Sequence, residues 1–389
     1  MRIDREFLEQ YLPPQMKRNL DEKRAAGAIV RVLHGEETCY EHACGAVHPH
    51  AQEPVTAQTI FRLYSMTKLV TMTALLQLYE RGLVFPEDRL EDFLPEFRDV
   101  PVAVDHEDGS VTYEKQASPI TIKQLCTMCS GLSYPGEGCE GERSVRKQYA
   151  RLVSKQMPLR DAAHLLATEC ALCFQPGSHW KYGYSHDVVG AVIEVAAGQS
   201  FGAYLRQNIL DPLGMKDTGF CVSAGQRPRF ASACTEENGD YHAFDDEPEL
   251  TLSFLDACPF ESGGGGLVST MDDYARFTSA LLCGGSAHGV RLLGPKTLAM
   301  MTANQLSDAQ MQDFNWCERG YGYGYGVRTA LRPSILGNSV GEFGWDGMMG
   351  SWVSIDPAEN LAVVYLQNHY PYNHDGIRLM PTIYAALRG

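Results

Sequence analysis

Ser65-Met66-Thr67-Lys68 sets a hydroxyl and an amine three residues apart. On a helix such residues share a face. A lysine in that position can take the serine's proton if it is itself neutral. A dry core behind it and the positive N-terminal end of a helix dipole both push it that way. A serine beside an uncharged lysine is a nucleophile with its own base. Spacing alone is weak, because the chain holds two more S-x-x-K matches. Ser144-Val145-Arg146-Lys147 lies in a charged stretch with no apolar helix after it, and Ser178-His179-Trp180-Lys181 lies among turn residues. The bland reading of Ser65 is a helix N-cap, and of Lys68 a solvated side chain.

The elements around Ser65 separate it from the other two. Ile60 to Tyr64 reads as a strand, and Leu69 to Glu80 as an amphipathic helix stopped by Gly82. Upstream, residues 4–25 read as a helix with Leu8, Leu12 and Met16 on one side. Gly27 to Leu33 and Thr38 to Val47 form a hairpin around His34-Gly35-Glu36-Glu37. After Gly82, helices are expected at Leu90–Phe97, Thr121–Cys129, Leu159–Thr168, Asp187–Ala196 and Phe201–Leu210. Gly263 to Gly266 mark a sharp loop, followed by a helix from Thr270 to about Cys283. Strands return at Tyr321–Val327, Trp352–Pro357 and Leu361–Leu366, and a helix over 376–387 closes the chain. This order predicts one sheet built from both termini with a helical insertion. The division is residues 1–82 with 256–389 as a discontinuous α/β domain, and 83–255 as a mostly helical domain.

With 389 residues, 44% hydrophobic and 21% charged, the chain has ample material for a large core. A net charge of −15 argues against nucleic acid or an anionic membrane as partner. No run approaches the ~18 apolar residues of a membrane span. The N-terminus is charged where a signal peptide needs an apolar run, so a cytoplasmic location is expected, with the twelve cysteines as reduced thiols. Cys126/Cys129 and Cys170/Cys173 have C-x-x-C spacing, but the pairs lie too far apart for a zinc ribbon and sit in apolar, helix-like contexts. No H-E-x-x-H occurs, His48-Pro49-His50 reads as loop, and neither metal nor cofactor is expected.

Several separated segments together resemble the serine β-lactamase and penicillin-recognising fold, in its class C branch, and are most like the family VIII carboxylesterases. Tyr64-Ser65-Met66-Thr67-Lys68 matches the nucleophile motif. Ile120 to Leu132 is similar to the family's ITIRHLLTHTSGL, Asp211 to Thr218 to PLGM-x-DT, and Gly263 to Ser269 to GGGGL-x-S. Trp180-Lys181-Tyr182 followed by Asp187 to Glu194 matches the tyrosine motif and its helix, and Phe343-Gly344-Trp345-Asp346-Gly347 corresponds to the third motif. The likeness implies an α/β (α+β) fold with an antiparallel sheet flanked by helices. It implies Ser65, Lys68 and Tyr182 as catalytic residues, and the backbone N–H groups of Ser65 and Met348 as an oxyanion hole. Tyr184, Trp345, Asp346 and Gly347 would face substrate.

Two departures bear on substrate. Class C β-lactamases carry Y-x-N; choosing Tyr182 leaves Tyr184 in the asparagine's place, where an aromatic wall is the simpler reading, with His186 as a loop histidine. Many relatives have K-T-G where this chain has Trp345-Asp346-Gly347, so an indole replaces an ammonium beside a carboxylate that would repel an anion. The expectation is therefore a carboxylesterase on small or hydrophobic neutral esters, working through an acyl-Ser65 intermediate. β-Lactam or D-peptide hydrolysis, acyl transfer to an alcohol, and a non-catalytic binding module are the alternatives. Gly183-Tyr184-Ser185-His186-Asp187 lacks the last glycine of an α/β-hydrolase elbow. The choice between Lys68 and Tyr182 as base in each step, and the oligomeric state, stay open.

Overall fold

The computed structural model describes residues 2–154, 157–244, 258–314 and 316–388. A seven-stranded antiparallel sheet runs in the order Tyr321–Tyr323, Arg328–Ala330, Phe343–Asp346, Trp352–Asp356, Leu361–Gln367, Gly27–His34, Glu37–Gly45. The two ends of the sequence therefore meet in its interior, with Val32 opposite Val363 and Val30 opposite Tyr365. Both faces of these strands are buried. Val30 and Val32 pack with Leu8, Leu12 and Met16 of the helix Arg5–Asp21. Ile29 and Leu33 face the other way, into the main core. Period-two alternation of side chains explains why this strand is apolar on both faces, interrupted only at Arg31.

The helix Thr67–Glu80 is buried on all sides from Thr67 to Leu78, rather than amphipathic as its sequence suggested. Its polar residues are satisfied inside the protein: Thr73 Oγ1 donates to Leu69 O at 2.8 Å, Thr71 Oγ1 to Gly263 O at 2.7 Å, and Gln77 Nε2 to Leu292 O at 3.2 Å. Buried polar groups are tolerated when bonded in this way.

Other departures have local causes. Leu90–Phe97 forms two short 3₁₀ turns, Leu90–Asp92 and Pro95–Asp99, separated where Pro95 enters. Phe201–Leu210 is helical to Leu205 and then widens into a π turn, Arg206–Leu210. Tyr321–Val327 is not one strand but the start of a hairpin, closed by Gly324 N donating to Val327 O at 2.8 Å. The closing segment is two short helices, Asp375–Arg378 and Met380–Ala385, ending in a strand Leu387–Arg388 paired with Arg2–Ile3. Glu140–Val153, read as a charged stretch, is a helix.

Between Gly82 and Phe244 lie helices and two hairpins, Val102–Asp105 with Val111–Glu114 and Cys234–Glu237 with Asp240–Ala243. The expected domain boundary at 255/256 lies outside the described residues. Among the described residues, no single helix is long and apolar enough to cross a membrane.

Candidate active site

A two-stranded ribbon sets up the site. Ile60–Arg62 pairs with Val268–Thr270, and the pairing continues as Leu63 N donates to Leu267 O at 2.9 Å. The turn bearing Ser65 and the glycine run that precedes Val268 are thereby placed side by side. Tyr64 takes φ +45°, a left-handed conformation costly for a bulky residue, immediately before Ser65. The chain then enters a 3₁₀ turn, Tyr64–Met66, and the buried helix, so Ser65 and Lys68 share one side of its first turn.

Lys68 is fully buried. Its Nζ lies 3.1 Å from Ser65 Oγ, 2.5 Å from Gly264 O and 3.4 Å from Tyr134 OH. Desolvation pushes its pKa down to about 7, against the opposing pull of the Asp187 and Asp346 carboxylates. A large share of the amine is therefore uncharged near neutrality.

Tyr182 closes over this amine, its ring centroid 4.5 Å from Lys68 Nζ. Its segment is held by Lys181 N donating to Met128 O at 2.9 Å. Gly183 allows the close approach: a Cβ there would lie 2.4 Å from Leu132 O and 2.5 Å from Ser133 Cα. Trp345 Nε1 donates to the Tyr182 hydroxyl at 2.9 Å. Burial holds the Tyr182 phenol well above its usual range, opposed by hydrogen bonding to Ser65 and Trp345.

Trp345 and Asp346 end the strand Phe343–Asp346. Gly347 follows at a position where a Cβ would lie 2.6 Å from Leu63 O, so the third motif abuts the serine turn. Gly347 N donates to Ser351 O at 2.8 Å in the tight turn that presents Met348. Neither Ser65 N nor Met348 N donates to a backbone carbonyl among the described residues. Burial raises the Asp346 pKa, while the Arg328 guanidinium and a hydrogen bond from Tyr372 counter it. Arg328, itself buried, donates to Glu342 Oε1 at 3.0 Å and stacks on Trp352 at 3.6 Å.

Ser65, Tyr182, Tyr184, Trp345, Asp346, Gly347 and Met348 all line one cavity of about 750 Å³, with Lys68 behind its floor. Tyr184, 7% exposed, is part of an aromatic wall, packed edge-to-face on Tyr134 at 4.8 Å. His186 is not in a loop but in the first turn of the helix Ser185–Ala197, buried, with Nε2 3.2 Å from Cys126 O.

Two groups escaped the sequence reading. Tyr134 touches Lys68; its signal was an aromatic two residues beyond the Ser130-Gly131-Leu132 turn. Asp187, noted only as a helix residue, is a buried carboxylate whose Oδ1 accepts from Ser262 Oγ at 2.5 Å and from Gly264 N at 3.3 Å. It anchors the peptide whose carbonyl receives Lys68, and a lone acid at the start of an apolar helix was the available hint. The glycines of the run serve contact, not left-handed backbone: a Cβ on Gly263 would lie 2.3 Å from His186 O, and one on Gly264 2.5 Å from Asp187 Oδ2. Among the described residues, no group of three or more His, Cys, Asp or Glu is arranged to hold a metal ion.

A hydroxyl against a buried, partly neutral amine, with a phenol above and free backbone N–H groups beside it, is an arrangement suited to acyl chemistry. The sequence matches the beta-lactamase family over residues 8–387. The chain belongs to that family and is a serine hydrolase of its fold. It is 31% identical to Esterase EstB of Burkholderia gladioli over 389 residues, covering 94% of this chain and 92% of the esterase. It is 29% identical to monacolin J acid methylbutanoyltransferase of Aspergillus terreus over 305 residues, covering 76% of this chain and 70% of that enzyme. Among solved structures it superposes on EstCE1, a hydrolase with promiscuous acyltransferase activity, with a TM-score of 0.79 at 23% identity, covering 97% and 99% of the two chains.

Proposed function

We propose that this enzyme is a carboxylesterase acting on neutral, hydrophobic esters through an acyl-Ser65 intermediate. The observation that carries the reading is the contact of Ser65 Oγ with a fully buried Lys68 amine whose pKa falls to about 7. In the mechanism, the Ser65 proton passes to neutral Lys68, or to Tyr182 when that residue is a phenolate, and Oγ attacks the ester carbonyl. The developing oxyanion lies between the N–H groups of Ser65 and Met348. Tyr182 gives a proton to the departing alcohol, and water then releases the acid.

The substrate class rests on the cavity. Tyr134, Trp180, Tyr184 and Trp345 present ring surface, and Asp346 stands where a substrate carboxylate would need a cation. Tyr184, Trp345, Asp346 and Gly347 are the proposed substrate contacts. The same acyl-enzyme can pass its acyl group to an alcohol in place of water, and the transferase named above supports that second reading. The same proposal includes the two-part division at 82/83 and 255/256, a cytoplasmic location that suits twelve reduced cysteines, and, from the charge of −15, no nucleic-acid partner.

The test is labelling by a fluorophosphonate serine probe and hydrolysis of p-nitrophenyl butyrate, each beside a Ser65→Ala control. Ser65-dependent labelling and turnover are expected. Faster turnover of nitrocefin than of the ester would transfer the assignment to β-lactam hydrolysis, and an alcohol that outcompetes water would make the enzyme a transferase.

A further inference from the structure

We propose that Cys139 and Cys173 form a redox-active dithiol, and that peroxide closes it into a disulfide behind the loop that carries Tyr134. Cys170-x-x-Cys173 was the pair suggested by spacing. Instead, Cys173 Sγ lies 3.3 Å from Cys139 Sγ, thirty-four residues away in sequence. A disulfide needs about 2.05 Å between the sulfurs, so closure requires an approach of only ~1.3 Å.

The two thiols are unequal. Cys139 is the N-cap of the 14-residue helix Glu140–Val153. The hydrogen bond with Cys173 pulls most on its thiol, the Glu142 backbone N–H and the Lys181 ammonium add to that pull, and burial and the Glu142 carboxylate oppose it. Lys181 is fixed there by Glu142, 2.7 Å from its carboxylate. Helix N-termini and neighbouring cations are the settings that favour thiolates, and the Cys139 thiol is pulled well below its usual range. The same contact with Cys139, and then burial, hold Cys173 in the protonated form. One sulfur is thus a nucleophile and the other a resolving thiol. Both are half-buried, whereas Cys170 is buried.

The reaction balances with a peroxide as the oxidant. The Cys139 thiolate attacks a peroxide oxygen; an S–O bond forms and the O–O bond breaks, leaving a sulfenic acid and a hydroxide that leaves as water. The Cys173 sulfur then attacks the Cys139 sulfur, displacing hydroxide, which departs as water with the Cys173 proton. The two sulfurs lose two electrons in all, and a reducing dithiol returns them.

The pair is coupled to the cavity by close packing. Cys173 N donates to Gly131 O at 2.8 Å. Gly131, at φ +91°, is pressed on the same segment: a Cβ there would lie 2.7 Å from Phe174 O. Three residues further on stands Tyr134, which contacts Lys68, and Gly183, next to Tyr182, packs directly on the Ser133 backbone. A shift at Cys173 is thereby passed to Tyr134 and Tyr182. This effect on turnover, though not the disulfide itself, rests on the esterase reading.

The test treats the full chain with graded hydrogen peroxide, caps remaining thiols with N-ethylmaleimide and maps peptides without reduction. The expected result is a Cys139–Cys173 cross-link at peroxide levels that leave the exposed Cys221 unmodified. It should be absent from Cys139→Ser and Cys173→Ser and retained in Cys170→Ser. For an ~1 Å displacement beside the reacting groups, kcat/KM for p-nitrophenyl butyrate should fall about tenfold or more, recover with dithiothreitol, and stay unchanged in oxidised Cys139→Ser. Cys221 reacting first, a Cys170–Cys173 link, or over-oxidation of Cys139 without a link would overturn the dithiol. A link that leaves kcat and KM unaltered in an active esterase would overturn the coupling. The cross-link is read by mass whether or not the protein cleaves esters, so failure of the esterase reading leaves that arm decisive.

Discussion

Trp345→Phe removes one hydrogen bond while keeping an aromatic ring in place. In the native protein the indole Nε1–H donates to the Tyr182 hydroxyl at 2.9 Å, and the indole ring packs edge-to-face on Tyr323 at 5.2 Å. Phenylalanine retains most of that packing and loses only the donor. A hydrogen bond between neutral groups contributes about 0.5–1.5 kcal/mol, and one to a charged group about 1.5–3 kcal/mol. At ~1.4 kcal/mol per factor of ten, the loss is about 2- to 12-fold if Tyr182 stays a neutral phenol throughout. It is about 12- to 150-fold if the phenol oxygen carries negative charge in the transition state. We expect the larger range, because Tyr182 is hydrogen-bonded on both sides and Trp345 opposes the burial that raises its pKa. The assay is steady-state hydrolysis of p-nitrophenyl acetate and butyrate, with kcat and KM resolved separately, since the missing donor acts on kcat. A kcat within twofold of wild type, or an effect confined to KM, would refute the role given to the indole N–H.

Four further outcomes follow from the geometry. Because the Lys68 pKa is lowered to about 7 and the amine must be neutral to accept a proton, kcat/KM should rise with pH through about 7 and lose up to tenfold per unit below it. Asp187→Asn removes a carboxylate that favours the ammonium form and should move that limb to lower pH; a flat profile from pH 5 to 9 would contradict both. Gly264→Ala places a Cβ 2.5 Å from Asp187 Oδ2 and 3.1 Å from Tyr134 OH, which should cost about 1–3 kcal/mol in denaturant midpoint as overpacking, together with activity. Arg328→Met leaves Glu342 buried without its cation and should destabilise by about 3–5 kcal/mol, with Arg328→Met/Glu342→Gln recovering part of the loss in the same melt.

The parts of the site that follow the chain closely were legible in it. Ser65 and Lys68 were singled out by helix spacing before an apolar run. Trp345-Asp346-Gly347 was reached only through its likeness to the family's third motif. The parts made by chain crossings were not legible. Tyr134 and Asp187 gain their meaning from Gly264, more than seventy-five residues from either in sequence. The buried polar side chains of the Thr67–Glu80 helix looked like a solvent face because their partners, Gly263 O and Leu292 O, lie far away in sequence. Likewise, spacing suggested Cys170 for Cys173, whereas the N-terminus of a helix that the charge pattern concealed brought Cys139.

The meeting of residues 28–34 with 361–367 in the middle of the sheet has a consequence for biosynthesis. A ribosome releases the first hairpin long before its neighbour exists. Until residue 367 emerges, Gly27–His34 presents an unpaired edge carrying Ile29, Val30 and Val32, the kind of edge that recruits other strands. The segments between can acquire helices during translation, but the sheet can close only after residue 367 is made, through contacts of high sequence separation that fold slowly. Yield in a heterologous host should therefore depend on elongation rate and on chaperones that shield the first hairpin, more than on the stability of the finished enzyme.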